Sequence, residues 1–339
     1  MSPVAIIGTT SWGTTLGIIL GRQGVEVNLW ARTVDEADRL NADRENKARL
    51  PGFPFPRQLG VTAALDEALS GAGLTILAVP SQTMRANVRL ARPHLDPATI
   101  LLSAAKGLEL DTAKRMSQVI AEEAPGLASR VCVLSGPNLS GEIARGLPAT
   151  SVVASGNREA AMEAQRLLMS PLFRVYTNDD VVGVELGGAL KNIIALGAGM
   201  CDGLGYGDNA KAAFMTRGLA EITRLGVALG ANPLTFAGLA GLGDLVATCS
   251  SPLSRNHLVG VELAKGRALQ EVLSSMRQVA EGVPTTVVAS KLARDRGVDM
   301  PIAAQMNRVL YDGLDVRQAV VELMARDAKP EVWGVGRES

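Results

Sequence analysis

Short, continuously apolar runs recur through the first half of the chain: PVAIIG (3–8), VEVNLW (25–30), LTILAV (74–79), TILLSA (99–104), VCVLS (131–135), TSVVAS (150–155) and FRVYT (173–177). Apolar and polar positions do not alternate cleanly within them, the pattern of strands covered on both faces. Helical stretches lie between most of the runs. Residues 1–178 are therefore predicted to form an α/β domain with crossover connections and a doubly wound, mainly parallel sheet. The spacing changes after Asp179-Asp180, a pair able to cap a helix start. Stretches such as AAFMTRGLAEITRLGVAL (212–229) and TTVVASKLARDRG (285–297) carry apolar residues at helical intervals, punctuated by Gly230, Pro233, Pro252, Pro284 and Pro301. An all-helical second domain over 179–339 is predicted. No repeat of 20–50 residues is visible, and the tail PEVWGVGRES is expected to fray.

The first apolar run ends in the stretch IIGTTSWG. Gly8 follows the run and Gly13 comes five residues later, with a helix predicted over 12–22. In a dinucleotide-binding turn the first glycine allows the bend and the second lets the backbone approach the pyrophosphate. The third lets helix and strand pack closely, with the phosphates on the helix N-terminus. Gly8 and Gly13 take the first and third roles, whereas Thr10 stands where the second glycine belongs. A hydroxyl there could donate to a phosphate oxygen. At the end of the second run, where NAD enzymes place a carboxylate for the ribose 2′-hydroxyl, the chain has Trp30-Ala31-Arg32. A guanidinium without a carboxylate favours a 2′-phosphate, hence NADP with NAD possible; the alternative is a solvated surface charge.

Composition narrows the class. Of 339 residues, 47% are hydrophobic and 20% charged, ordinary for a chain that buries a large core. Lys plus Arg and Asp plus Glu are both 34, which argues against nucleic acid as a partner. Cys132, Cys201 and Cys249 are far apart and form no CxxC pair, and there are only two histidines. No metal is expected, and the cysteines read as buried residues of a reducing compartment. His94 and His257 read as surface or capping residues. The N-terminus lacks the basic start of a secretory signal, and no run reaches the roughly 18 uninterrupted apolar residues of a membrane span. A cytoplasmic protein without an integral membrane segment is expected.

Lysines in apolar, Gly-rich settings stand out. Lys106 in LLSAAKGLE follows a strand's C-terminal end, the edge where open α/β sheets bind ligands. Lys191 lies in ELGGALKNIIALGAG, an otherwise apolar helix. A buried lysine without a partner is costly and has a lowered pKa, which suits a proton donor near neutral pH. Alternatively each reaches solvent or pairs with a structural carboxylate. SGPNLSGE (135–142) follows a strand and opens a helix, so its N–H groups with Asn138 and Ser140 could hold an anion or a hydroxyl, or act as plain caps. Arg255, between Ser254 and Asn256, could clamp a phosphate. Asp244 in GLGDL could align a lysine or bind a substrate hydroxyl, unless it and Arg255 form a structural ion pair.

Taken in order, SWGT (11–14), LPGFPFP (50–56), VPS (79–81), KGLE (106–109), SGP (135–137), LGGALKN (186–192), GLGDL (241–245), SRN (254–256) and EG (281–282) resemble the bacterial-type NAD(P)-dependent glycerol-3-phosphate dehydrogenases. The resemblance covers nearly the whole chain. It implies a Rossmann-like domain followed by a helical one, and reduction of the phosphorylated triose dihydroxyacetone phosphate to sn-glycerol 3-phosphate for phospholipid synthesis. It implies Lys191 as proton donor-acceptor, with Lys106 and Asp244 beside it in catalysis. Lys106, Gly136, Asn138, Lys191, Asp244, Ser254, Arg255 and Asn256 fall at substrate positions. Gly8, Thr10, Ser11, Trp12, Gly13, Arg32, Lys106, Ser140, Arg255, Val279 and Glu281 fall at cofactor positions. Thr10 for glycine, Asn138 for Thr or Ser and Ser140 for Ala depart from the family pattern. A homodimer is the expected assembly. The rivals are a dehydrogenase of another hydroxy acid or sugar phosphate, and a nucleotide sensor without turnover.

Overall fold

The computed structural model describes residues 2–276, 279–328 and 330–331. The chain divides into two compact units, Met1–Lys106 with Lys114–Val181, and Gly107–Ala113 with Val182–Ser339. The excursion of 107–113 into the second unit has no counterpart in the predicted pattern. Residues 332–339 of the tail expected to fray lie outside the described residues.

The first unit holds one eight-stranded sheet: β1 Val4–Ile7, β2 Val27–Trp30, β3 Leu59–Thr62, β4 Leu74–Leu77, β5 Ile100–Ser103, β6 Val131–Ser135, β7 Ala149–Ala154 and β8 Phe173–Asn178. Their order is β3-β2-β1-β4-β5-β6-β7-β8. Every pairing is parallel except β6 with β7, where Val133 faces Ala154. Seven strands match the apolar runs, and β3 was missed. Its sequence, LGVT, alternates buried and exposed residues and holds a glycine, so it lacks the continuous apolar signal. Along β1 the side chains alternate between two cores: Val4 and Ile6 join one cluster, Ala5 and Ile7 the other. Both clusters are buried, which is why β1 is apolar at every position.

Helix α1 (Ser11–Arg22) follows β1, and α2 (Val34–Asp43) follows β2. Among its described residues the second unit has helices and no strand. Its core element is the helix Val181–Leu204, buried without a break from Leu186 to Cys201. Length and composition alone would let this helix cross a membrane, but 83% of its apolar window is buried against the protein's own helices. Glycine permits that packing: a Cβ at Gly199 would lie 2.0 Å from the backbone oxygen of His257. The three cysteines are buried and free.

Candidate functional site

In the first unit the turn after β1 has the geometry a dinucleotide requires. Gly8 has φ +116°, and a Cβ there would meet the oxygen of Ala78 at 2.6 Å. A Cβ at Gly13 would sit 2.2 Å from the oxygen of Gly8, so α1 starts in direct contact with the strand it leaves. The N–H groups of Ser11 and Trp12, in the first turn of α1, have no acceptor within the helix. The indole nitrogen of Trp12 is buried without a hydrogen-bond partner, while the ring packs edge-on against Phe173 at 6.4 Å.

Thr10 plays a part that steric reasoning did not foresee. It is the N-cap of α1 with an extended backbone, φ −68° and ψ 166°. Its hydroxyl accepts from the N–H of Gly13 at 3.0 Å and donates to the carbonyl of Ala78 at 2.8 Å. The side chain thus turns inward and joins the helix start to the end of β4. Its proton is engaged by Ala78, so the expected donation to a phosphate oxygen is replaced by an internal bond. Thr fits here because an N-cap needs a β-region residue with a short hydroxyl, not glycine's left-handed freedom.

The turn is held by its neighbours. Buried Asn46 donates to the carbonyl of Thr9 and to the hydroxyl of Thr14, both at 2.9 Å. Ser11 donates to the carbonyl of Arg49 at 2.5 Å. The hydroxyl of Thr9 donates to the carboxylate of Glu36 at 2.7 Å. Arg32 is exposed, and its guanidinium reaches Asn87 only at 3.5 Å, the limit of a hydrogen bond.

At the C-terminal edge of β5 and β6, Lys106 donates through Nζ to the carbonyl of Gly136 at 2.7 Å. That bond joins two stretches singled out in the sequence, KGLE and SGP. Gly136 has φ +129°, and a Cβ would approach the Cα of Ser151 at 3.1 Å. Asn138 donates to Ser151 at 3.0 Å. Its amide oxygen, with the hydroxyls of Ser103 and Ser135, is buried without a partner. Unsatisfied polar atoms gathered at a strand edge are what a polar ligand would satisfy. Ser140 opens a helix of only five residues, Ser140–Ala144, and its carbonyl accepts from Thr15 at 3.3 Å.

In the second unit Lys191 and Asp244 form a buried ion pair, Nζ to Oδ1 2.7 Å, with the residues 5% and 1% exposed. Of the readings open for Lys191, the one that pairs it with a carboxylate holds, and Asp244 supplies the counter-charge. The hydroxyl of Thr248 joins the pair, accepting from Lys191 and lying 3.3 Å from Asp244. Local backbone sets this geometry. A Cβ at Gly187, one turn before Lys191, would meet the oxygen of Ala240 at 2.7 Å. Ala240 lies in the π-helical turn Leu239–Gly243, closed by the N–H of Gly243 on the carbonyl of Gly238 at 3.1 Å. The turn leads directly into the helix Asp244–Ser250 that carries both partners. Cys249 of that helix is no nucleophile at neutral pH, because burial pushes its thiol up to about 12.

The three side chains of the SRN triplet have separate partners. Ser254 is buried and caps the helix Arg255–Ala264, accepting from the N–H of His257 at 3.3 Å. Asn256 donates to Asn192 and accepts from the N–H of Gly282, each at 2.9 Å. Arg255 alone is exposed, and it donates to the carbonyl of Val279 at 2.8 Å. Glu281 caps the helix Gly282–Asp295, its carbonyl accepting from Thr285 at 2.6 Å. His257 is not a surface residue: it is mostly buried and meets Asp202 at 2.6 Å. Sequence reasoning missed Thr248 and Asn192. Thr248 stands four residues after Asp244, a spacing that puts both on one helix face. Asn192 lies inside the quoted LGGALKN block.

With the geometry in place, the comparisons with known proteins agree among themselves. The family model for the NAD-dependent glycerol-3-phosphate dehydrogenase N-terminus matches residues 3–161, and that for the C-terminus matches 180–321. A glycerol-3-phosphate dehydrogenase (NAD(P)+) from Dehalococcoides mccartyi is 57% identical over 336 residues, covering 98% of this chain and 94% of the relative. One from Moorella thermoacetica is 52% identical, with 97% of each chain covered. The crystal structure of the Coxiella burnetii glycerol-3-phosphate dehydrogenase superposes with a TM-score of 0.91 at 38% identity, covering 96% of this chain and 99% of that one.

Proposed function

Because the chain belongs to the NAD-dependent glycerol-3-phosphate dehydrogenase family, we propose that it catalyses the reversible NAD(P)H-dependent reduction of dihydroxyacetone phosphate to sn-glycerol 3-phosphate, feeding glycerophospholipid synthesis. When bound, the dinucleotide supplies the hydride. The chain's own residues supply everything else.

The first unit offers Gly8, Thr10, Ser11, Trp12 and Gly13 to the dinucleotide, with Lys106 and Ser140. Arg32 supports NADPH as the preferred form, NADH being accepted as well. In the second unit Arg255, Val279 and Glu281 would serve the cofactor. Gly136, Asn138 and Lys106 of the first unit, and Ser254, Arg255 and Asn256 of the second, would serve the substrate. The side chain of Ser254 caps the helix that Arg255 opens, and that of Asn256 ties Asn192 to Gly282.

The carbonyl oxygen at C2 gains charge as C2 gains hydrogen, and Lys191 Nζ delivers the proton that neutralises it. Asp244 and Thr248 each take one direction of that ammonium and so aim it. Lys106 adds positive potential at the same oxygen. The buried Lys191–Asp244 pair carries this reading. The test is initial rates of dihydroxyacetone phosphate reduction with NADPH and NADH, on the native protein and on Lys191→Ala. Loss of the general acid lowers kcat at least about 100-fold while dinucleotide binding survives. A kcat within threefold of native removes Lys191 from the role. Three buried, unpaired cysteines support a cytoplasmic location. The reading includes a homodimer, which light scattering tests.

A further inference from the structure

The end of β2 carries no carboxylate, yet the fold brings one to the nucleotide turn from the next helix. Glu36 lies in the first turn of α2, two residues past its start. Thr33 caps that helix and accepts from the N–H of Glu36 at 3.2 Å. The carboxylate Oε1 accepts from the hydroxyl of Thr9 at 2.7 Å. Thr9 is the residue between Gly8 and Thr10, and its carbonyl is gripped from the other side by buried Asn46. Glu36 is therefore anchored at both ends, by its backbone to α2 and by its side chain to the turn. Among the described residues, its second carboxylate oxygen, Oε2, makes no hydrogen bond.

Dinucleotide folds read the adenosine 2′ position with a carboxylate roughly 20 residues beyond the glycine turn, or with a nearby arginine for a 2′-phosphate. Glu36 stands 23 residues after Gly13. Arg32 precedes it by four residues and is only loosely tied. We propose that Glu36, presented by Thr9, reads the adenosine 2′ position in opposition to Arg32. Its Oε2 accepts a hydrogen bond from a 2′-hydroxyl and repels a 2′-phosphate, whereas Arg32 attracts the phosphate. One position is thus contested by two residues of opposite sign, and the chain uses both dinucleotides rather than NADPH alone. This inference rests on the dehydrogenase reading above.

The experiment measures dissociation constants of NADPH and NADH by calorimetry on the purified native protein and on Glu36→Gln, with adenosine 2′,5′-bisphosphate and 5′-AMP as fragments lacking the nicotinamide. Glu36→Gln keeps the acceptor for Thr9 and removes the charge. It is expected to tighten NADPH and the bisphosphate about tenfold while weakening NADH two- to fivefold, a change of roughly 1.4 kcal/mol for the former. Thr9→Val, which removes the anchor of the carboxylate, shifts the ratio of the two constants in the same direction by less. Arg32→Ala shifts it the opposite way. If Glu36→Gln leaves the NADPH to NADH ratio within twofold while both dinucleotides bind, Glu36 is not the reader and the inference falls, with the dehydrogenase reading intact. Absence of dinucleotide binding by the native protein removes both.

Discussion

Replacing Asp244 by Asn isolates the electrostatic part of the second unit's ion pair, because volume and one oxygen acceptor are kept. At 2.7 Å the native pair attracts by about 6 kcal/mol for an effective dielectric near 20. Desolvation of two charges offsets most of that, so the pair's net worth is small. Removing one partner is different, since it strands the other charge in the interior, at a typical cost of about 3–5 kcal/mol. The retained amide oxygen puts Asp244→Asn at the lower end, about 3 kcal/mol, or a fall in Tm of about 4 °C for a chain of 339 residues. Calorimetric unfolding of Asp244→Asn, Lys191→Met and the double variant closes a cycle. The expected result is strong coupling: once Lys191 is gone, Asp244→Asn costs at least about 2 kcal/mol less than it does alone. Additive costs would show that the carboxylate is not the ammonium's counter-charge. The kinetic counterpart is a loss of kcat for Asp244→Asn with little change in dinucleotide affinity.

Two further predictions concern groups whose roles only the structure revealed. Thr10→Ala loses both the cap on Gly13 and the bond to Ala78, and should destabilise by about 1–2 kcal/mol, whereas Thr10→Ser should stay within about 0.5 kcal/mol; urea unfolding in which Ser costs as much as Ala refutes the hydroxyl argument. Glu221 is buried and accepts from the N–H groups of Ile302 and Ala303 at 2.8 and 3.2 Å, and burial pushes its carboxyl up to about 7. The native state then holds this proton more tightly than the unfolded chain, so the stability it gives is complete below the ordinary carboxyl range, near 4.5, and is lost as pH rises to 7. The loss is worth about 3 kcal/mol. The difference in Tm between Glu221→Gln and native should therefore shift in the variant's favour between pH 5 and 7.5, and a constant difference would contradict it.

The sheet was legible because burial on both faces writes itself into the sequence as unbroken apolar runs, and β3 escaped because one exposed face and Gly60 dilute that signal. The direction of β7 escaped for another reason. Strand composition does not record polarity, and the antiparallel pairing of Ser135 with Val152 depends on the path of the loop between them. Lys191 and Asp244 were legible as candidates from residue type and setting. Their pairing was one of the readings that residue type allowed, but its geometry was not legible, since 53 residues and a π-helical turn separate them. Thr10 was legible only as an anomaly: a missing glycine says nothing of where the hydroxyl that replaces it will find an acceptor, and Ala78 lies 68 residues away. Glu36 escaped because it sits past the strand end where the carboxylate was sought.

The excursion Gly107–Ala113 has a consequence for dissecting the gene. Leu108 is fully buried in the hydrophobic core of the second unit, and the segment ends at Ala113, whose backbone adopts the left-handed conformation at φ 58°. The polypeptide thus visits the helical body, returns to finish the sheet, and only later supplies the remaining helices. A fragment cut at residue 182 lacks the leucine that plugs its interior, while the complementary fragment carries the same leucine with nothing to cover it. Two open reading frames split at that apparent boundary would yield one hollow product and one sticky one. A workable division must give residues 107–113 to the later fragment, by circular permutation or as a linked peptide.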